Sequence, residues 1–166
     1  EVASNTELIK QLRERTSAGV MDCKNALEEC NDDIDKAENL LLEKGIASAS
    51  KKIGRDTNQG IIETYIHSGG RIGSIVEINC ETDFVARTDE FKNLSHDIAM
   101  QIAAMAPKAV SPEIDPESTL NKDEFLLNQP FIKDPSKTIQ DLINENVGKL
   151  GENIKIRRFE RFSLGE

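Results

Sequence analysis

The side chains that most readily act as a base or a thiol nucleophile near neutral pH are scarce in this chain: two histidines, His67 and His96, and three cysteines, Cys23, Cys30 and Cys80. Neither histidine has a Cys, Asp or Glu at a spacing that marks a metal site, and the sequence contains no HExxH pair. His96 falls within a helical stretch and reads as a solvated helix residue. His67 ends a strand beside a turn and reads on its own as a turn residue. GGRIGS invites comparison with a phosphate loop. Such a loop needs GxxxxGK[ST] leading from a strand into a helix, so that backbone N–H groups and a lysine meet the phosphates. Here no lysine follows and another strand comes next, so the glycines belong to a tight turn. Cys23 has no base near it in sequence, which predicts a small buried side chain. The cysteines make no CxxC pair and no even-numbered framework, so reduced thiols in a cytosol-like compartment are expected.

Two segments place apolar side chains beside turns, where either the core or another molecule could take them. In NCETDFVAR, Asn79 to Arg87, Phe84 stands beside Asp83 just where a strand should end. Either the ring folds back into the core or it is offered to another molecule. In TSAGVMDCK a flexible turn precedes Val20 and Met21, followed by Asp22 and Lys24. Packing into the core and binding a partner's helix are both open for that pair.

The elements that must position these residues can be read from pattern. Ser4 and Glu7 have the spacing of a capping box, and Leu8, Ile9 and Leu12 form an apolar stripe up to TSAGV. A second helix runs through MDCKNALEEC. Asn31 and Asp32 are expected N-caps of a third, carrying Ile34, Ala37, Leu40 and Leu41, with Gly45 as its left-handed C-cap. KKIGRDTNQG reads as a linker. IIETYIH and RIGSIVEINC flank SGG as a hairpin, with Ile72, Val76, Ile78 and Cys80 on one face. Thr88 can cap a helix with Asp89 and Glu90 in its first turn and Phe91, Leu94, Ile98, Ile102 and Met105 inward, ending at Pro107. All five prolines fall between 107 and 135, predicting an irregular connection with a short helix at KDEFLLN. A last helix is expected from Ser136 to Gly151. The tail NIKIRRFERFSLGE reads as a third strand, disturbed between Phe159 and Phe162 by a bulge. The fold class is α+β, a three-helix module followed by about three antiparallel strands packed with helices. The division falls at residues 1–53 and 54–166.

With 166 residues, 30 acids against 21 bases and a net charge of −9, the chain lacks the basic excess of a nucleic-acid binder. No apolar run approaches the ~20 residues of a membrane span. A protein partner is the expectation, with no cofactor and no metal. The start, EVASNTELIKQL, has neither an initiator methionine nor a signal-like leader, as expected of a chain trimmed or excised from something longer.

Four blocks in order resemble the elongation factor Ts family: LIKQLRERTSAGVMDCKNALEE with LLEKGIASASKK; YIHSGGRIGSIVEINCETDFVAR with EFKNLSHDIAMQIAA; QPFIKDPSKTIQDLI; and KLGENIKIRRF with RFSLGE. The resemblance covers essentially the whole chain apart from a variable middle near residues 108–127. The resemblance implies a non-enzymatic guanine-nucleotide exchange factor of translation elongation, with elongation factor Tu as partner. It implies that Thr82, Asp83, Phe84, Val85 and His67 act at the partner's GTPase domain, with Phe84 the wedge. Arg13, Val20, Met21 and Lys24 of a ubiquitin-associated-like module would grip a separate helix, and the core would make a second contact. The family's TGxGM loop reads TSAGV here, with Ser17 and Val20 substituted. Long members spread the TDFV and HxGxRIG-like segments over two subdomains, whereas one subdomain here holds both. The resemblance therefore implies a homodimer, for which edge pairing of the small sheets is one route. The compartment would be a bacterial cytoplasm, a plastid stroma or a mitochondrial matrix. The rival reading is a scaffold or ubiquitin-like-protein binding module, working through Val20 and Met21 with no need of Asp83 or Phe84. A further rival, a cysteine-dependent enzyme, would need Cys23 or Cys80 to be reactive.

Overall fold

The computed structural model describes residues 5–16, 18–114 and 117–166. Helices α1 (Asn5–Thr16), α2 (Val20–Glu29) and α3 (Ile34–Lys52) come first. The expected Ser4 cap and the Ser17 substitution lie outside the described residues. Leu12, Cys23, Ala26, Leu27 and Ala37 form the buried heart of this unit, with Leu8, Ile9, Ile34, Leu40 and Leu41 packed around it.

Two expectations for α3 are corrected. Its N-cap is Asp33, whose side chain accepts the Lys36 N–H at 3.0 Å. Asn31 and Asp32 instead take left-handed conformations, with φ of 51° and 60°, and make the turn. Gly45 does not end the helix. It sits mid-helix where α3 crosses α6 (Ile139–Leu150), and a Cβ built on Gly148 would lie 3.4 Å from Gly45 Cα. Two glycines facing one another let the helix backbones approach closely, so the residue type that usually stops a helix here serves packing. The expected linker is correspondingly short, since α3 continues to Lys52 and β1 begins at Gln59.

Strands β1 (Gln59–Ile66), β2 (Ile72–Cys80) and β5 (Lys155–Ser163) form an antiparallel sheet in the order β1-β2-β5. Alternation along β2 buries Val76, Ile78 and Cys80 on one side. Helix α5 (Asp89–Met105) lays Phe91, Leu94, Ile98 and Ile102 over that face, capped at Thr88 as expected. Ala106 in the left-handed conformation closes it before Pro107. α6 adds Ile139, Ile143 and Val147 to the same core. It starts three residues later than expected, because Thr138 caps it in a reciprocal box with Asp141 while Ser136 lies in strand β4 (Asp134–Thr138). β4 pairs with β3 (Pro130–Phe131), and the KDEFLLN stretch forms two short 3₁₀ turns. The bulge predicted between Phe159 and Phe162 lies elsewhere. The register shift is opposite Glu77 and Ile78, where Arg157 is the extra residue, and Phe159 and Phe162 sit on opposite faces of a regular strand. No helix among the described residues is long and apolar enough to cross a membrane.

Candidate functional site

β2 delivers the central segment. Cys80 is its last inward residue, fully buried, and the chain then leaves the sheet through Glu81 and Thr82. Thr82 is extended and caps a four-residue helix, α4 (Asp83–Ala86), its Oγ1 accepting the Val85 N–H at 3.4 Å. Ala86 is buried and Val85 packs partly against the core. Because those two anchor the inner side of a single turn, Phe84 is left pointing outward with 78% of its surface exposed, the highest among the exposed large apolar side chains. Asp83 pairs with Arg87 at 2.9 Å, but both side chains are well exposed, so this pair orients the carboxylate more than it stabilises the turn.

The base of the turn is held from far away in sequence. Glu152, in the loop between α6 and β5, accepts the N–H groups of Glu81 and Thr82 at 2.9 Å each and also the Thr82 hydroxyl. Glu81 in turn accepts the Asn153 N–H at 2.7 Å and faces the Arg55 guanidinium at 3.5 Å. The buried Asn153 side chain donates to the carbonyls of Ile53 and Arg55, at 3.3 and 2.9 Å. Cys80 donates its S–H to Thr82 O at 3.2 Å. Burial, reinforced by the Glu152 charge, pushes that thiol up to about 11, so Cys80 is a protonated structural residue at neutral pH. Burial also raises Cys23. Neither fits a reactive nucleophile.

His67 lies at the other end of the hairpin. Its N–H reaches Ile72 O at 2.9 Å, and Gly69 and Gly70, with φ of 90° and 66°, take the turn conformations that side chains disfavour. The exposed His67 ring meets Tyr65 Oη through Nδ1 at 3.3 Å. Tyr65 also packs edge-on against His96, the exposed helix histidine. β1 pairs Ile66 with Gly73 at the His67 end and Gln59 with Cys80 at the Phe84 end. Seven strand steps of ~3.3 Å put these ends roughly 23 Å apart. Thr82, Asp83, Phe84 and Val85 therefore come together, and His67 of the same chain does not join them.

In the helical unit, α2 buries Cys23, Ala26 and Leu27. Val20, Met21 and Lys24 lie off that stripe, and Val20 and Met21 are 48% and 62% exposed. Lys24 pairs loosely with Glu28 at 3.7 Å, and Arg13 is exposed on the last turn of α1. The apolar pair thus stands outside its own core, with Lys24 one turn further along the same helix. Among the described residues no group of three or more His, Cys, Asp or Glu side chains is placed to hold a metal ion. The sequence reading missed Glu152. It was quoted within KLGENI, but a lone glutamate in a loop carries no local sign that it reaches a segment seventy positions earlier.

The family described as Elongation factor TS matches residues 2–125. A relative named elongation factor Ts from Caldanaerobacter subterraneus subsp. tengcongensis is 49% identical, over 98% of this chain and 97% of its own length. One of the same name from Carboxydothermus hydrogenoformans is 49% identical over 97% and 89%. One from Coprothermobacter proteolyticus is 47% identical over 98% of both. This chain belongs to the elongation factor Ts family. Its role is accordingly in translation elongation, and these relatives are bacterial.

Proposed function

We propose that this chain promotes GDP release from elongation factor Tu by wedging Phe84, with Asp83 beside it, into the partner's GTPase domain. The observation that carries this reading is the exposure of the Phe84 ring on a turn whose inner side is fixed in the core. GDP and Mg²⁺ are held by a phosphate loop and metal-binding segments kept in one geometry. A ring entering beside them favours an arrangement in which the metal and phosphates are held less well. Exchange of this kind needs no covalent step. It requires only that the factor bind the nucleotide-free partner better than the GDP-bound one, and the coupling is reciprocal.

Magnitudes assign the remaining roles. A thousandfold faster release requires about 4 kcal/mol in favour of the open state. Burying one phenylalanine contributes only ~1.5–3 kcal/mol. The rest must come from other contacts, for which residues 1–53, through Arg13, Val20, Met21 and Lys24, supply the grip. The core, residues 54–166, carries the wedge, His67 and a second contact with the partner. We read His67 as pressing on the partner near its phosphate-binding region.

Two copies of the chain would complete the site. The outer face of the sheet supports this association: Ile62 and Ile66 of β1, Ile75 of β2 and Phe162 of β5 are exposed there. Ile66, Gly73 and Phe162 form one row across the three strands. Such a face favours stacking of two sheets over pairing of their edges. The compartment is read as a bacterial cytoplasm. The deciding experiment is release of labelled GDP from elongation factor Tu with catalytic amounts of this chain. Acceleration by the wild type, reduced at least roughly tenfold in Phe84→Ala with the fold intact, supports the reading. An unchanged rate in the variant removes the wedge.

A further inference from the structure

The turn that carries Phe84 is too short to hold itself. Four residues make one helical turn, and a helix of that length has no stability of its own in water. Its cap is weak, since the Thr82 Oγ1 to Val85 N–H contact is long at 3.4 Å. Three polar contacts at its base end on one side chain, Glu152. An ionised carboxylate is an acceptor only, and this one meets three donors: two consecutive backbone N–H groups and a hydroxyl. Charge-assisted bonds of this kind are shorter and stronger than neutral ones. The loop supplying Glu152 is itself anchored, because the adjoining Asn153 is buried and bonded to Glu81, Ile53 and Arg55.

We propose that Glu152 is a positioning residue for nucleotide exchange, fixing the Thr82 end of α4 so that the Phe84 ring keeps one direction. The proposal rests on the reading of Phe84 as the wedge. A ring on a loose turn can be pushed aside by the GDP-bound partner, and the ordering cost then falls on the step that opens the site. Glu152 lies in a separate loop from Phe84 and acts from beneath the turn. Its loss should therefore appear in the saturating rate of release, where wedge and site meet, and not in the concentration at which the factor binds.

The experiment measures release of a fluorescent GDP from elongation factor Tu against factor concentration, separating the saturating rate from the half-saturating concentration. Glu152→Ala is expected to lower the saturating rate about tenfold or more, with the half-saturating concentration moving less than about threefold. Glu152→Gln keeps the shape and one acceptor oxygen, and should fall between the two. It carries the test if the alanine variant melts early in circular dichroism. The double variant Phe84→Ala/Glu152→Ala should be no slower than Phe84→Ala within about twofold, because a residue acting through Phe84 has nothing left to position. Multiplying effects in the double variant, or a raised half-saturating concentration with the saturating rate intact, would overturn the proposal. If the wild type does not speed release, or Phe84→Ala matches it, the exchange reading falls and this proposal with it. A slow Phe84→Ala beside a fully active Glu152→Ala sinks the positioning role alone.

Discussion

His67 and Phe84 stand at opposite ends of the same β-hairpin, separated by the full length of the paired strands β1 and β2. Both side chains are exposed, and no motion short of breaking the ladder brings them together. A single site using both must therefore draw them from two copies of the chain. Mixing gives a direct test. Homodimers of His67→Ala and of Phe84→Ala each lack one component at both sites. Subunit exchange between them at equal amounts yields about half mixed dimers, each with one intact site, so about a quarter of wild-type sites reappear. GDP release should recover by that fraction after mixing. Recovery of nothing, with exchange of subunits verified by mass spectrometry, means that the two residues do not share a site.

The association itself should depend on the outer face of the sheet. Phe162 is 69% exposed and lies in register with Gly73, over which the Ile66 side chain is folded. The other half of that face is ionic, with Glu77 bonded to Arg158 at 2.8 Å. Phe162→Asp places a charge in the apolar half, where burying it against another sheet is costly. Light scattering at micromolar concentration is expected to give a dimer mass for the wild type and a monomer mass for Phe162→Asp, with the melting temperature of the fold little changed. A dimer that survives the substitution redirects the contact to the strand edges.

The helical unit should affect affinity without affecting the maximum rate. Val20 and Met21 are exposed apolar residues on α2, remote from α4 in sequence and outside the core of their own unit. Met21→Asp removes an apolar contact and adds a charge at a surface where folding makes no demand. The half-saturating concentration for GDP release should rise about tenfold or more, as for an interface anchor, while the saturating rate stays within about twofold. A lowered saturating rate with unchanged affinity would assign these residues to the opening step.

The hairpin, α5 and the sheet could be read from sequence because their causes are local. Alternation in RIGSIVEINC set the buried face of β2, and Thr88 followed by Asp89 and Glu90 marked the start of α5. The misreadings have non-local causes. Gly45 looked like a helix end, yet what it answers to is Gly148, a hundred residues later. α4 is too short to show any period, so Thr82 could not be recognised as a cap. Phe84 raised the right question in the sequence, but whether its ring turned in or out depended on Val85 and Ala86 taking the inner positions of that turn.

Cys80 should make the fold sensitive to alkali. Its thiol is fully buried, donates to Thr82 O, and is raised to about 11 by burial and then by the Glu152 charge. An unfolded cysteine titrates near 8.5. A group whose proton is held more tightly in the folded state contributes stability that is fully present below the unfolded value. That contribution is lost as pH rises toward the folded one. Cys80→Ser keeps a donor for Thr82 O and has no titration in this range. The denaturation midpoint of the wild type relative to Cys80→Ser should therefore be constant up to about pH 8 and fall between roughly pH 8.5 and 11. Other alkaline titrations are common to both proteins and cancel in the difference. At pH 8 the half-exposed Cys30 should be alkylated well before Cys80, as read by peptide mass spectrometry. Rapid labelling of Cys80 in the native protein, or a difference that stays flat to pH 11, would show that this thiol is not the protonated donor beneath Thr82.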